Sequence, residues 1–159
     1  MSRQKKIFKI ESKIFLNFLH NPKNMIDDEM KNVLNIFSAI ILCDSGSDIH
    51  LDYTDFVCAL ENTTGSYIVS FHSDVTCSVS VMMKQIVQEV LWDNDLKDKI
   101  AAILINFKLH PDFDLEDLSV AMENIYENTN EHCTVIFGTC TDNKMGIDDM
   151  SVNAIISYV

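Results

Sequence analysis

The sequence IAAILINF, from Ile100 to Phe107, is an almost continuous apolar run of the length of one β-strand. A run of this kind is expected of a strand that lies inside a sheet and is covered on both faces. Pro111 follows shortly afterwards and would end the strand, because proline has no amide hydrogen to donate to a strand ladder. Asn106 is the one amide in the run, and we interpret it as a side chain whose hydrogen bonds are satisfied by the backbone.

The segments around this run switch between strand and helix patterns. Apolar residues recur at helical spacing from Val79 to Leu91 and again from Leu115 to Tyr126. Asp114 is placed to cap the second of these helices. Three further segments have the alternation or the apolar content of strands, namely Tyr67 to Phe71, Cys133 to Thr139 and Met150 to Tyr158.

These elements predict an α+β fold with two layers. The strands would form a four-stranded mixed sheet, because two strand-helix-strand crossovers followed by a hairpin give both parallel and antiparallel neighbours. Two helices would cover one face of the sheet. A long N-terminal helix from Met25 to Leu42, capped by Asn24, would precede them. The chain would then consist of a basic segment at residues 1–24 and one domain at residues 25–159.

The charge of the chain is strongly negative and unevenly distributed. The net charge is −12, yet residues 1–13 contain five basic side chains and one acidic side chain. An acidic body repels nucleic acid, so we predict no nucleic-acid partner. We interpret the basic start as a solvated, frayed terminus. The alternative is a contact between this segment and an acidic partner or a membrane surface.

Two features bear on the location of the protein. No apolar run is long enough to span a bilayer, so no transmembrane segment is predicted. The five cysteines form no CxxC pair and no small disulfide framework, which favours reduced thiols and a cytoplasmic location. The histidines and cysteines also form no zinc-type pattern, so no metal site is predicted.

The stretch SDIHLDYTDF, from Ser47 to Phe56, places two carboxylates three residues apart. Asp52 is predicted to cap a short helix from Tyr53 to Leu60, because its side chain can accept amide hydrogens of the first turn. Asp55 then falls in that first turn, so that both acids crowd one helix start and point outward. Such pairs are common at ordinary helix starts, and spacing alone favours a purely structural role.

The residues around this acid pair resemble the synergy loop of the tubulin/FtsZ superfamily, whose bacterial form runs Asn-hydrophobic-Asp-Phe-Ala-Asp. Both acids are kept here, while His50 stands at the family Asn position and Tyr53 at the Phe position. Leu42 to Ile49 is most similar to FtsZ of the Campylobacter and Helicobacter group. Three later segments are similar to family strands: AAILINF to GxLxNI, VIFGTCTD to IIFGTxxD and, less closely, SVNAIISYV to the last strand.

The resemblance extends from Lys31 to Val159 and implies the C-terminal domain of FtsZ, with the helix Met25 to Leu42 at the position of the inter-domain helix. FtsZ binds GTP through a separate Rossmann-like domain, in which a glycine-rich loop lets backbone amides close on the phosphates. The four glycines here lie far apart, and the sequence has no other phosphate-binding motif. The resemblance therefore implies no cofactor bound by this chain alone, no GTPase activity of its own, and GTP on a partner subunit.

In the family, the synergy loop of one subunit meets the nucleotide of the next, where its acids orient the attacking water. The resemblance thus implies a catalytic role in trans for Asp52 and Asp55, with His50 at the family Asn position. An imidazole in place of an amide is bulkier and can gain charge, so the loop could dock without full activation of hydrolysis. The residues implied to bind the partner are Asp48, His50, Leu51, Asp52, Tyr53 and Asp55.

Two functions remain open at this point. In the first, the chain is an FtsZ-like cell-division or cytoskeletal module that contacts a GTP-bearing FtsZ-type subunit through residues 47–56, modulates its polymerisation or hydrolysis, and caps the filament. In the second, the chain is the structural half of a split or truncated FtsZ with no binding activity of its own. The helix Met25 to Leu42 would then expose an apolar face and cause self-association. An unrelated small enzyme on this fold would need a convergent catalytic set, and the sequence contains none.

Overall fold

The computed structural model describes residues 6–20, 51–73 and 78–159. In these ranges the chain forms one five-stranded sheet. The strands are β1 (Lys6–Glu11), β2 (Gly65–Ser73), β3 (Ile100–Leu109), β4 (Thr134–Thr141) and β5 (Met150–Tyr158). The helices are α1 (Ser12–His20), α2 (Tyr53–Leu60), α3 (Val79–Ile86) and α4 (Leu115–Glu127), and α3 continues as a π-helical segment, Val87–Trp92. The predicted helix from Met25 to Leu42 lies outside the described residues.

The strand order is β1-β2-β5-β3-β4. β3 and β4 are parallel, whereas every other neighbouring pair is antiparallel. The predicted α+β class and mixed sheet are confirmed, but the predicted count of four strands is wrong. The predicted hairpin is also wrong, because β5 lies between β2 and β3 and does not pair with β4. The successive buried residues Ala154, Ile155 and Ile156 explain this position, since a strand that is apolar on both faces belongs inside a sheet.

The prediction of a frayed terminus at residues 1–13 is wrong for residues 6–13, which belong to β1 and the start of α1. β1 pairs with β2 along its whole length, and Ile7 and Ile10 pack against the cores on opposite faces of the sheet. Lys9 Nζ lies 5.7 Å from the ring centroid of Tyr67 and 5.8 Å from that of Tyr158, which is cation–π distance. A hydrogen bond to Tyr158 is the main cause that raises the pKa of Lys9. Lysines interleaved with apolar residues are thus the pattern of a protected edge strand.

The sheet separates two hydrophobic cores. α3, the π-helical segment and α4 pack on one face, against residues such as Val69 and Ile105. α1 and α2 pack on the other face, against Ile68, Leu104 and Ile155. The predicted pair of helices therefore lies on one face, but the two-layer arrangement is wrong, because the second face also carries helices. The central strands are apolar in both alternating sets of residues, and each set needs its own cover.

A chain of buried hydroxyl groups joins α1 to the sheet. Ser12 Oγ lies 2.9 Å from Ser66 Oγ on β2, which lies 3.0 Å from Ser157 Oγ on β5. Thr63 Oγ1 donates a hydrogen bond to Ser12 Oγ at 2.6 Å. Because all three serines are fully buried, these mutual bonds are what allow hydroxyl groups at this position. They fix the first residue of α1 next to the turn that follows α2. Residues 6–20 thus share the sheet and core of the other described residues, and the predicted boundary at residue 24 lies outside the described ranges.

Candidate functional site

The candidate site is the start of α2, where the two aspartates cap the helix reciprocally. Asp52 has an extended backbone, with φ −115° and ψ 178°. Its Oδ1 atom accepts a hydrogen bond from the backbone N–H of Asp55 at 3.0 Å. In return, Asp55 Oδ2 accepts a hydrogen bond from the backbone N–H of Asp52 at 2.9 Å. This arrangement is a capping box, which satisfies two amides that a helix start would otherwise leave without partners. The predicted cap at Asp52 and the predicted bounds of α2 are confirmed.

Two apolar side chains hold this helix start against the sheet. Leu51, immediately before the cap, is 6% exposed, and Phe56, one turn into the helix, is fully buried. Both belong to the core that also contains Phe15 of α1 and Leu60 at the end of α2. An apolar residue before the cap that shares a core with the fourth residue of the helix is the hydrophobic staple, which fixes the angle at which the chain enters the helix.

The acid pair therefore lies at the start of α2, which Leu51 and Phe56 hold against the core. We call this helix start the corner. Asp52 is exposed and Asp55 is half-buried. Each carboxylate uses one oxygen for capping, and the other oxygens, Asp52 Oδ2 and Asp55 Oδ1, make no hydrogen bond with the described part of the chain. Chemically, the corner offers two carboxylate oxygens, carried by side chains of fixed orientation, to a water molecule or a partner group.

The other residues predicted for this site have different positions. Asp48 and His50 lie outside the described residues. Tyr53 is 42% exposed and is the first residue of α2. Leu51 was expected to contact a partner, but its side chain lies in the core and instead supports the loop. Three of the six predicted partner-binding residues, Asp52, Tyr53 and Asp55, thus lie together at the corner. Each of them is at least partly accessible to solvent.

The described polar residues of the sheet do not assemble a catalytic triad. His72 Nδ1 lies 2.7 Å from Ser151 Oγ across β2 and β5. The carboxylate of Asp142 pairs with Lys108 Nζ at 3.4 Å, and a hydrogen bond from the Lys144 backbone is the main cause that lowers the pKa of Asp142. A Ser–His pair without an orienting acid lacks the third member of a triad.

Asn106 behaves differently from its prediction. It is 3% exposed and lies directly opposite Asn153 of β5. Its side chain makes no hydrogen bond to any residue that the structure describes, so the expected backbone partner is not found there. The amide atoms nevertheless keep some contact with solvent, because the described residues contain no fully buried side-chain nitrogen or oxygen without a partner.

The cysteines differ from the prediction of five free thiols. Cys140 is disulfide-bonded, whereas Cys58 and Cys133 are free. Burial raises the pKa of the Cys133 thiol to about 11, so this thiol is almost entirely protonated at neutral pH and is a poor nucleophile. Within residues 6–20, 51–73 and 78–159, no cluster of histidine, cysteine and acidic side chains could hold a metal ion. No helix in those same ranges is long and apolar enough to cross a membrane.

Comparison with solved structures identifies the architecture. The chain aligns with an empty FtsZ dimer from M. jannaschii over 89% of its length, with a TM-score of 0.54. It aligns with a point mutant of FtsZ from the same organism over 90% of its length, with a TM-score of 0.60. The chain has an FtsZ-like fold. The sequence identity is 18% in both alignments, so this likeness concerns the fold alone.

The alignment covers only part of FtsZ. It spans 42% of the first FtsZ chain and 44% of the second, so this chain corresponds to less than half of either protein. That share is consistent with the resemblance to a single FtsZ domain, the C-terminal one, that the sequence motifs indicate. No family model matches the sequence, and no curated protein matches it.

Proposed function

We propose that this chain is an FtsZ-like cell-division or cytoskeletal module that contacts a GTP-bearing FtsZ-type subunit through residues 47–56. There it would modulate polymerisation or GTP hydrolysis in trans, in the cytoplasm and at a filament. The observation that carries the proposal is the reciprocal capping of Asp52 and Asp55 on an FtsZ-like fold. Hydrolysis of a partner's nucleotide would need carboxylates that orient the attacking water, and this corner presents two of them, fixed in position and partly exposed.

The chemistry of the pair suits this role. Phosphoryl transfer to water depends mainly on positioning and electrostatics, so a carboxylate that orients the attacking water contributes most when it is already fixed. In this chain the capping bonds fix both carboxylates and the staple fixes the helix. The GTP, its metal ion and its phosphate-binding loop would all belong to the partner. This chain would supply the two acids and the surface around Tyr53.

The same geometry favours an effect on filament ends. A subunit that presents an acid corner but carries no nucleotide can join the nucleotide-bearing end of a filament. The next FtsZ subunit would then find no GTP to contact, so growth at that end would stop. We therefore expect shorter or fewer filaments, with hydrolysis stimulated at the single contact that the chain makes.

Sedimentation of FtsZ polymer tests this proposal. M. jannaschii FtsZ, polymerised with GTP, would be centrifuged with increasing amounts of the wild-type chain. The pelleted FtsZ should decrease, and a small amount of the chain should pellet with it. An Asp52→Asn/Asp55→Asn variant should have a much weaker effect, because asparagine keeps both capping bonds and removes both charges. An Asp114→Asn/Asp117→Asn variant is the matched control, since it makes the same charge change at the start of α4. Equal effects of the two double variants, or no change in the pellet, would contradict the proposal.

The alternative is a structural half of a split or truncated FtsZ with no independent binding activity. It is favoured by one observation, namely that the chain spans less than half of the FtsZ chains it matches. It predicts self-association of the isolated chain through an apolar surface that a missing domain would cover. Light scattering across a range of concentrations separates the two functions: a monomer favours the stand-alone module, and concentration-dependent association favours the structural half.

A further inference from the structure

A groove on the opposite face of the molecule from the acid pair has its own chemistry. It has a volume of about 620 Å³ and is lined by α3, the π-helical segment and the end of α4. Trp92, the only tryptophan of the chain, lines it and is 55% exposed, and Val81 lines it and is 44% exposed. π-helical turns inside α-helices occur often at functional sites, and this one ends at Trp92.

Three of the amide side chains in the groove use their nitrogen for a hydrogen bond within the protein. Asn124 Nδ2 already donates to the Val120 carbonyl at 2.9 Å, and Asn128 Nδ2 donates to the Asn124 carbonyl at 2.8 Å. Gln88 Nε2 donates to the carboxylate of Asp93 at 2.7 Å. The side-chain oxygens of these three amides accept no hydrogen bond within the described residues. The groove therefore combines an indole ring with amide oxygens that seek donors.

The charge around the groove points to the same class of ligand. α4 contains four acidic residues and no basic residue. One of them, Glu127, lies in the last turn, where the helix dipole already concentrates negative charge, and this placement is unfavourable for the isolated helix. Glu127 also lines the groove, and Lys84 is the one cation among the described residues that line it. A positively charged ligand would relieve this repulsion at the end of α4.

We propose that this groove docks a basic amphipathic segment of a partner protein. An apolar side chain of that segment would pack against Trp92 and Val81, as in other helix-in-groove complexes. A lysine or arginine beside it would meet Glu127 and the oxygens of Asn124 and Asn128, with the indole face of Trp92 as a further cation–π contact. The negative charge of Glu127 and of α4, which contains four acidic residues and no basic residue, selects a basic occupant. The inference uses none of the residues of the acid pair and does not rest on the proposed function.

Trp92 makes a direct test possible, because its emission reports on the groove alone. The probe is a synthetic helical peptide of leucine and lysine with the leucines on one face, titrated into the full chain at physiological salt. We expect saturable binding with a blue shift of the Trp92 emission, as the indole leaves water. The same peptide with glutamate in place of lysine should not bind. Binding of both peptides, or an unchanged Trp92 emission, overturns the inference.

Two pairs of variants separate the groove from the general negative charge of the protein. Glu127→Gln should weaken the binding of the leucine–lysine peptide about threefold, the size expected for one partly exposed charge pair. Glu123→Gln is the matched control on the same helix, outside the groove lining, and should leave the affinity unchanged. Val81→Lys should weaken binding further, since it replaces an exposed apolar contact by a like charge, whereas Val120→Lys outside the lining should not. Equal effects within either pair mean that the peptide binds by non-specific attraction, and this would overturn the inference.

Discussion

Two helices of this chain begin with aspartates three residues apart, and the two starts are built differently. At α2, Asp52 and Asp55 form two reciprocal side-chain bonds to each other's backbone amides. At α4, Asp114 accepts a hydrogen bond from the backbone N–H of Glu116 at 2.9 Å. Asp117 makes no side-chain hydrogen bond with the described part of the chain. Equal spacing thus produces a closed capping box at one helix and a simple cap at the other.

The backbone before each helix explains the difference. Asp52 is fully extended, with φ −115° and ψ 178°, whereas Asp114 has φ −67° and ψ 117°. The first conformation directs the cap side chain to the third amide of the helix, and the second directs it to the second amide. Spacing therefore predicts a cap, while the local backbone decides whether the second acid returns the bond. The pair at α2 is held by two side-chain hydrogen bonds, and this is why the proposed contact with a partner involves this pair and not the one at α4.

The largest expected effect concerns the anchor beneath the acid pair. Phe56→Ala should reduce the free energy of unfolding by about 3 to 5 kcal/mol, because a fully buried aromatic ring leaves a cavity. Urea denaturation measures this change. The control is Leu115→Ala at the start of α4, where the side chain is 71% exposed and the change should stay within about 0.5 kcal/mol. Similar losses in the two variants would show that α2 is not anchored as described.

Each of the two caps should contribute less to the free energy of unfolding than Phe56 does. The two contributions should be about equal. Asp52→Ala and Asp114→Ala should each lower the free energy of unfolding by about 1 kcal/mol, because each removes one side-chain bond to a first-turn amide. The same urea titrations give both values. A loss confined to one of the two helices would contradict the claim that both aspartates act as caps.

The third residue of each helix distinguishes the capping box from the simple cap. Asp55→Ala should cost about 1 kcal/mol more than Asp117→Ala, because only Asp55 accepts a backbone hydrogen bond. Both variants lose a similar interaction with the helix dipole, so that term cancels in the difference. If the two variants lose the same free energy in urea titrations, the reciprocal bond of Asp55 does not stabilise the protein.

The smallest expected change belongs to the charge-removing variants. Asp52→Asn/Asp55→Asn should lower the free energy of unfolding by less than about 1 kcal/mol, since asparagine can accept both capping bonds and only the interaction of the charges with the helix dipole is lost. Its thermal unfolding curve should nearly superimpose on that of the wild-type chain. A large loss would mean that the charges are needed for folding, and the variant could then not serve as a probe of the partner contact.

The local patterns of the sequence predict the elements well, and the arrangement of the sheet less well. The apolar run from Ile100 to Phe107 correctly indicates an inner strand, and Asp52 and Asp114 correctly mark two helix starts. Each of these signals depends on residues that are neighbours in the chain. The position of β5 depends on contacts with distant strands, and periodicity within one segment does not contain that information.

The N-terminal strand and the groove show where sequence reasoning missed a signal. In β1, the lysines between the apolar residues obscure the strand pattern. The structure shows that Ile7 packs on one face of the sheet, whereas Phe8 and Ile10 pack on the other. Trp92 stands at the end of an amphipathic helix, a position where a core residue is not required. The single exposed tryptophan could have indicated a surface site, whereas the change to a π-helical turn before it leaves no pattern in the sequence.

The proposed contact with a partner's nucleotide is tested most directly by the rate of GTP hydrolysis of M. jannaschii FtsZ in the presence of each purified variant. We predict that the wild-type chain and Asp114→Asn/Asp117→Asn change the turnover per FtsZ subunit in the same way, and that Asp52→Asn/Asp55→Asn leaves it at the value of FtsZ alone. If all three proteins change the turnover equally, or none changes it, the acid pair at α2 does not act on a partner's GTP.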